Sequence, residues 1–184
     1  MVSVVICTYN RSDILKICLQ SIAEFYPKTF AIEVIVVNNN SIDDTSTTLS
    51  NFSNTYAWLR IINESQQGLS NSRNTGYKSA KHSWILYLDD DAKIEQHLFN
   101  RVFTHIKSST YKCLGGLYLP WYETKKPKWF RDKWASNQLK YSDVQNLQSN
   151  EFASGGVLLI HKDLLVAHDG FNPKYGMLGT HRWY

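Results

Sequence analysis

Three consecutive aspartates, Asp89-Asp90-Asp91, follow directly on the apolar run Trp84-Ile85-Leu86-Tyr87-Leu88. Such a run reads as a buried strand. Carboxylates at its C-terminal end sit where open α/β sheets place their ligands. Adjacent negative charges repel one another, and a cation relieves them. Hard carboxylate oxygens suit Mg2+ or Mn2+, and an ion bound there could neutralise a diphosphate. The same triplet also reads as a solvated acidic loop or a helix cap after a strand.

The elements that must position these carboxylates follow from hydrophobic patterning. Residues 2–7 are rich in β-branched side chains and predict a strand buried on both faces. Ser12 is a candidate N-cap, with Asp13 in the first turn. Ile14, Cys18, Ile22 and Phe25 then recur at helical spacing up to Pro27. Residues 32–37 predict a second strand, and Ser41 with Asp44 resembles a capping box for a second helix. A short strand over 58–62, a turn at Gly68 and a helix capped by Ser70 or Asn71 and running to about 80 precede the 84–88 strand. Residues 96–106 predict another helix. Strand and helix therefore alternate, which predicts a parallel sheet covered on both faces. The second half is less regular. A strand is expected over 113–119 and another at Gly155-Gly156-Val157-Leu158-Leu159-Ile160, with a short helix at 164–167. Between the two strands lies an aromatic, basic stretch containing Trp121, Tyr122, Trp129, Phe130 and Trp134.

Composition narrows the function classes. A chain of 184 residues accommodates one domain with a full core. The net charge of +4 concentrates around Lys125, Lys126, Lys128, Arg131 and Lys133; it is no nucleic-acid signature. Cys7, Cys18 and Cys113 form neither a disulfide framework nor a CxxC metal site. No apolar run reaches the roughly 18 residues of a membrane span. The N-terminus reads as a strand rather than a leader. A cytoplasmic setting is the expectation.

Taken together, these segments resemble a known family. Val2-Ser3-Val4-Val5-Ile6-Cys7-Thr8-Tyr9-Asn10-Arg11 resembles the opening of the inverting glycosyltransferase family 2, with its GT-A fold. Val36-Val37-Asn38-Asn39-Asn40-Ser41 follows in the same order, then Gly68 with Ser72-Arg73-Asn74-Thr75-Gly76. Asp89-Asp90-Asp91, Ser154-Gly155-Gly156-Val157 and Asp169-Gly170-Phe171 complete the series. The resemblance implies an α/β, Rossmann-like GT-A domain over 1–184, with a mostly parallel central sheet flanked by helices. Residues 1–110 would form the nucleotide-binding half and 111–184 the acceptor-binding half, the latter incomplete at its C-terminal end. The implied reaction is metal-dependent sugar transfer from a nucleotide-diphosphate sugar, UDP-linked in most members, to a glycan or lipid-linked acceptor. That chemistry belongs to polysaccharide biosynthesis, with peripheral association at the inner membrane face compatible with it.

The resemblance also implies roles for residues. Thr8, Tyr9, Asn10 and Arg11 would lie against the nucleotide, with Asn38 and Asn40 beside the base and Arg73 on phosphate or base edges. Asn38 stands where the family has an aspartate that reads uracil. Asp89 and Asp90 fall on the nucleotide side of the triplet, with Asp89 contacting ribose or sugar, and Asp91 would hold Mn2+ or Mg2+. Gly155, Gly156 and Trp121 would line the donor-sugar and acceptor site. From the residues alone, Thr8 and Asn10 equally form a loop and helix start, and Arg73 a surface arginine. Gly155-Gly156 equally forms a bulge, and the aromatic stretch a hydrophobic cluster under a loop. The family's catalytic acidic pair is due after the Gly-Phe turn, but the chain ends at Tyr184 before it. Asp169, which replaces the family's usual glycine, and His181 are the remaining base candidates, with His168 beside them. A rival reading is a GT-A module that binds nucleotide sugar without turnover. Another, a nucleotidyltransferase, lacks any glycine-rich phosphate loop.

Overall fold

A computed structural model describes residues 1–108, 110–122, 124–131, 144–149 and 151–177. These residues form a six-stranded sheet in the order β3-β2-β1-β4-β6-β5. The strands are β1 (Val2–Thr8), β2 (Ile32–Asn38), β3 (Leu59–Asn63), β4 (Trp84–Asp89), β5 (Cys113–Gly115) and β6 (Val157–His161). The helices are α1 (Ser12–Glu24), α2 (Thr45–Thr55), α3 (Leu69–Ser79), α4 (Leu98–Ser108) and α5 (Lys162–Ala167). β1 lies between β2 and β4 and is parallel to both, and β3 runs parallel to β2.

The apolar runs of β1 and β2 are continuous because both faces are covered. Val2, Val4 and Ile6 face Leu15, Leu19, Ile22, Leu49 and Phe99 from α1, α2 and α4. Val5, Ile35 and Val37 face Tyr77 of α3 and Leu165 of α5. Removing such side chains from water is the main stabilising term. No helix among the described residues is long and apolar enough to cross a membrane.

The second half departs from an all-parallel sheet. β6 runs antiparallel to β4, and β5 antiparallel to β6. The strand expected over 113–119 is only three residues long, Cys113–Gly115. It is an edge strand, and the chain beyond Gly116 leaves the ladder toward the aspartates. The reversal of β6 has a positional consequence. It brings the Gly155-Gly156 step, where the strand starts, to the carboxyl edge where the parallel strands end. Leu88 pairs with Val157 there, and the Asp89 N–H donates to Gly156 O at 3.3 Å.

Three helix starts differ from expectation. Ser12 is the first helical residue rather than the cap, and its hydroxyl pairs with Thr48 Oγ1 at 2.8 Å. Asp44, not Ser41, precedes α2. Gly68, at φ 136°, precedes α3, so Ser70 and Asn71 lie inside its first turn. No side chain of the cap residue itself closes any of the three. Asp43 instead accepts the Ser12 and Thr45 N–H groups, which satisfies two starts from one loop.

Candidate functional site

The carboxyl edge carries Thr8 opposite Asn38 across β1 and β2, and Asp89 opposite Cys7 across β1 and β4. The three aspartates that continue from β4 divide their tasks. Asp90 turns inward, leaving only 6% of its side chain exposed. It accepts the Thr8 hydroxyl at 2.8 Å and the Arg11 guanidinium at 2.8 Å. Burial pushes its pKa up to about 6, against the pull of Arg11 and Thr8. Asp89 and Asp91 turn outward, with 48% and 45% of their side chains exposed. Arg11 reaches Asp91 with its second arm at 2.9 Å. Burial also raises the pKa of Asp89, which Arg73 partly offsets. Thr8 and Asp90 therefore hold the triplet from beneath, while Asp89 and Asp91 keep part of their carboxylates open to solvent.

Arg73 lies in the second turn of α3, not at its start. Its guanidinium sits 5.8 Å from the Tyr87 ring centroid and 5.4 Å from that of Phe171. It lies 3.7 Å from Asp89 and donates to Gly155 O at 3.3 Å. Only 16% of the side chain is exposed, so it is no free surface arginine. The two glycines make this possible. A Cβ on Gly155 would meet Arg73 Nη2 at 2.5 Å, and one on Gly156 would meet Asp89 Oδ2 at 3.0 Å. Asn74 ties in the next turn, donating to Phe171 O and accepting the Phe171 N–H.

The asparagine loop after β2 is largely self-satisfied. Asn38 is buried; its Oδ1 accepts the Ser41 N–H and its Nδ2 donates to Ser46 Oγ. Asn39 is buried too. It donates to Glu64 O and Gln66 O and accepts the Gly68 N–H at 2.7 Å. It thus joins the ends of β2 and β3 to the start of α3. Asn40, in left-handed backbone at φ 60°, donates to Ser65 O. Asn10, at φ 52°, accepts the Ile42 N–H and donates its own N–H to Ser41 Oγ. Tyr9 is half-buried beside it. Sequence reasoning gave no role to Asn39 or Asn74. Their partners lie far along the chain, and no spacing signals them.

Trp121 is half-buried and donates its indole N–H to Asp91 O at 2.9 Å. That hydrogen bond ties the aromatic stretch to the backbone of the triplet. Trp129 packs edge-on against Phe130, and Tyr122 does likewise. Asp169 adopts φ 56°, the backbone region that explains a glycine at that place. It is exposed at the end of α5, and among the described residues it makes no hydrogen bond or ion pair with the triplet. His168 is the exposed C-cap of α5. His181 lies outside the described residues, as does Trp134. Burial pushes the thiols of Cys7 and Cys18 upward, so neither is a nucleophile at neutral pH.

Among the described residues no three His, Cys, Asp or Glu side chains gather into a metal cage. The donor set still fits a divalent ion of the Mg2+ type. Such ions use one or two carboxylates and complete their shell with water and substrate phosphate. The outward oxygens of Asp89 and Asp91 supply that partial set.

A model of the family described as Glycosyl transferase family 2 matches residues 3–167. The glycosyltransferase AglE of Haloferax volcanii is 34% identical over 117 residues, covering 62% of this chain and 38% of that protein. The cholesterol galactosyltransferase of Borreliella burgdorferi is 25% identical over 107 residues, covering 58% and 29%. Among solved structures, the mannosyltransferase PcManGT from Pyrobaculum calidifontis, in complex with GDP-Man and Mn2+, superposes with a TM-score of 0.69 at 20% identity. The match covers 95% of this chain and 48% of that one. Residues 1–349 of S. aureus TarS give 0.68 at 19% identity, covering 96% and 51%. These likenesses show a shared GT-A-type fold. The chain spans roughly a third of the curated relatives' length and about half of the solved ones.

Proposed function

This chain belongs to glycosyl transferase family 2, and from that premise we propose that it transfers a sugar, with inversion, from a nucleotide-diphosphate sugar to an acceptor hydroxyl. The observation that carries the reading is the pair of outward carboxylates, Asp89 and Asp91, at the carboxyl edge of β4 beside Arg11, Arg73 and the Gly155-Gly156 step. Open α/β sheets bind ligands at this edge. A divalent ion, Mn2+ or Mg2+, held by Asp91 and Asp89, would shield the leaving diphosphate as a Lewis acid. UDP is the nucleotide we propose first, with GDP next, since GDP-Man and UDP-GlcNAc are both bound by solved neighbours.

The chain's own residues would work by positioning. Asp90, anchored by Thr8, fixes the backbone from which its two neighbours project. Trp121 holds the same backbone from the acceptor side. Arg73 keeps the β6 step against Asp89, so donor and acceptor halves, 1–110 and 111–184, share one edge. The acceptor oxygen bonds to the anomeric carbon as the bond to the diphosphate breaks, and the acceptor's proton leaves to a base, for which Asp169 and His181 are this chain's candidates. A glycan or lipid-linked acceptor, met in the cytoplasm or peripherally at a membrane, completes the proposal. A second reading, donor binding without turnover, draws on the absence of contact between Asp169 and the triplet among the described residues.

Calorimetric titration of UDP, GDP, TDP and CDP, with and without Mn2+, tests the donor site. One nucleotide is expected to bind more tightly with Mn2+, and Asp91→Asn to abolish that gain. No binding of any nucleotide would refute the reading.

A further inference from the structure

We propose that Arg11 is a built-in counter-ion that occupies Asp91 until a divalent ion displaces it, so that metal and nucleotide diphosphate bind cooperatively. This rests on the metal-assisted reading above. The triplet packs three carboxylates at adjacent positions, and two arginines answer them. Arg11 forks across Asp90 Oδ1 at 2.8 Å and Asp91 Oδ2 at 2.9 Å. Arg73 stands 3.7 Å from Asp89.

The two arginines differ in what holds them. Arg73 lies against both the Tyr87 and Phe171 rings, donates to Gly155 O and is largely covered. Leaving would cost it the Gly155 hydrogen bond and both ring contacts. Arg11 has 44% of its side chain exposed. One arm is fixed on Asp90, which is buried and also held by Thr8. The other arm ends on Asp91, itself nearly half exposed. Arg11 can therefore release Asp91 without giving up Asp90.

A divalent ion on Asp91 and a guanidinium on the same carboxylate are like charges within a few ångströms of each other. Their repulsion is strong at a partly covered site. Metal alone must therefore turn Arg11 away, and it binds weakly. When a diphosphate arrives, its oxygens offer the freed arm a charge-assisted partner that matches the planar fork. The same phosphates complete the ion's oxygen shell. Each ligand then raises the affinity of the other by the same factor.

The test is a Mn2+ titration of wild type, Arg11→Met and Arg11→Lys, reading free Mn2+ by electron paramagnetic resonance, first with metal alone and then with UDP or GDP. Arg11→Met is expected to bind Mn2+ alone about tenfold or more tightly than wild type, since a neighbouring unit charge is gone. The further gain on adding nucleotide should shrink. Arg11→Lys, which keeps the charge, should stay near wild type. Arg11→Gln keeps N–H donors toward both carboxylates without the charge, and it replaces Arg11→Met if that variant does not fold. A purely structural role would lower the melting temperature of Arg11→Met with no gain in Mn2+ affinity, and that result overturns the proposal. Mn2+ binding by wild type with nucleotide, but no gain in the variant, overturns the counter-ion role alone. No Mn2+ binding by wild type with either nucleotide overturns the metal reading and the counter-ion role with it.

Discussion

An alanine Cβ at position 155 would lie 2.5 Å from Arg73 Nη2 and 2.9 Å from Nη1. Elsewhere a flexible arginine tip would swing aside. Here the guanidinium lies against the Tyr87 and Phe171 rings and pairs with Asp89, so its escape routes cost contacts. Gly155→Ala is expected to destabilise the chain by about 1–3 kcal/mol, the range for forced overpacking. Urea denaturation measures it. In an Arg73→Ala background most of that cost should vanish, because the obstacle is gone. An additive double mutant would mean that the glycine answers to backbone conformation instead. The placement of the carboxylates at a strand end and the close approach at the glycine pair were legible in the sequence, because an apolar run reports its own end and glycine permits close approach. The Arg73–Asp89–Gly155 link was not. It joins residues that only the reversal of β6 brings together.

Gly76 sits inside α3, where helix propensity alone would favour alanine by about 1 kcal/mol. Yet its missing Cβ is what lets α3 lie on β1, since an added Cβ would meet Val5 Cγ1 at 2.3 Å. Val5 is fully buried at the centre of the sheet. It is β-branched and cannot rotate away freely. Gly76→Ala is therefore expected to be net destabilising by about 1–2 kcal/mol, overpacking outweighing propensity. A unchanged or raised unfolding midpoint would show that α3 is free to shift off the sheet. The alternation of strands and helices was readable from apolar periodicity because it reports burial directly. The helix starts were not. Ser12, Ser41 and Ser70 all look like caps, but the donors of α1 and α2 are met by Asp43 in a loop that packs against both. For α2 that carboxylate is local, two residues before Thr45, but for α1 it lies 31 residues along the chain, where no local spacing signals it.

The molecule gathers its outward carboxylates and paired arginines at one edge of the sheet and a polar staple at the other. At the amino edge, Glu33 of β2 is buried. It accepts the Ser3 hydroxyl of β1 at 2.6 Å, the Arg60 guanidinium of β3 at 2.9 Å, and the Lys81 N–H just before β4. One carboxylate thus fastens three parallel strands and the approach to a fourth. Burial alone would raise its pKa, but the Ser3, Lys81 and Arg60 contacts outweigh it and hold the carboxyl below its ordinary value. A carboxyl depressed in the folded state contributes stability that is full above its unfolded pKa, near 4.3, and is lost as pH falls through the lower folded value. Glu33→Gln should therefore cost about 1.5–3 kcal/mol at pH 7, the range for hydrogen bonds to a charged group. The gap between wild type and variant should narrow below about pH 4. The staple lies a strand's length from Asp89 and Asp91, so nucleotide affinity at low temperature should not change while the melting temperature falls. A parallel loss of affinity would mean that the two edges are coupled through the sheet. A pH-independent gap would mean that Glu33 acts through shape and not through its charge.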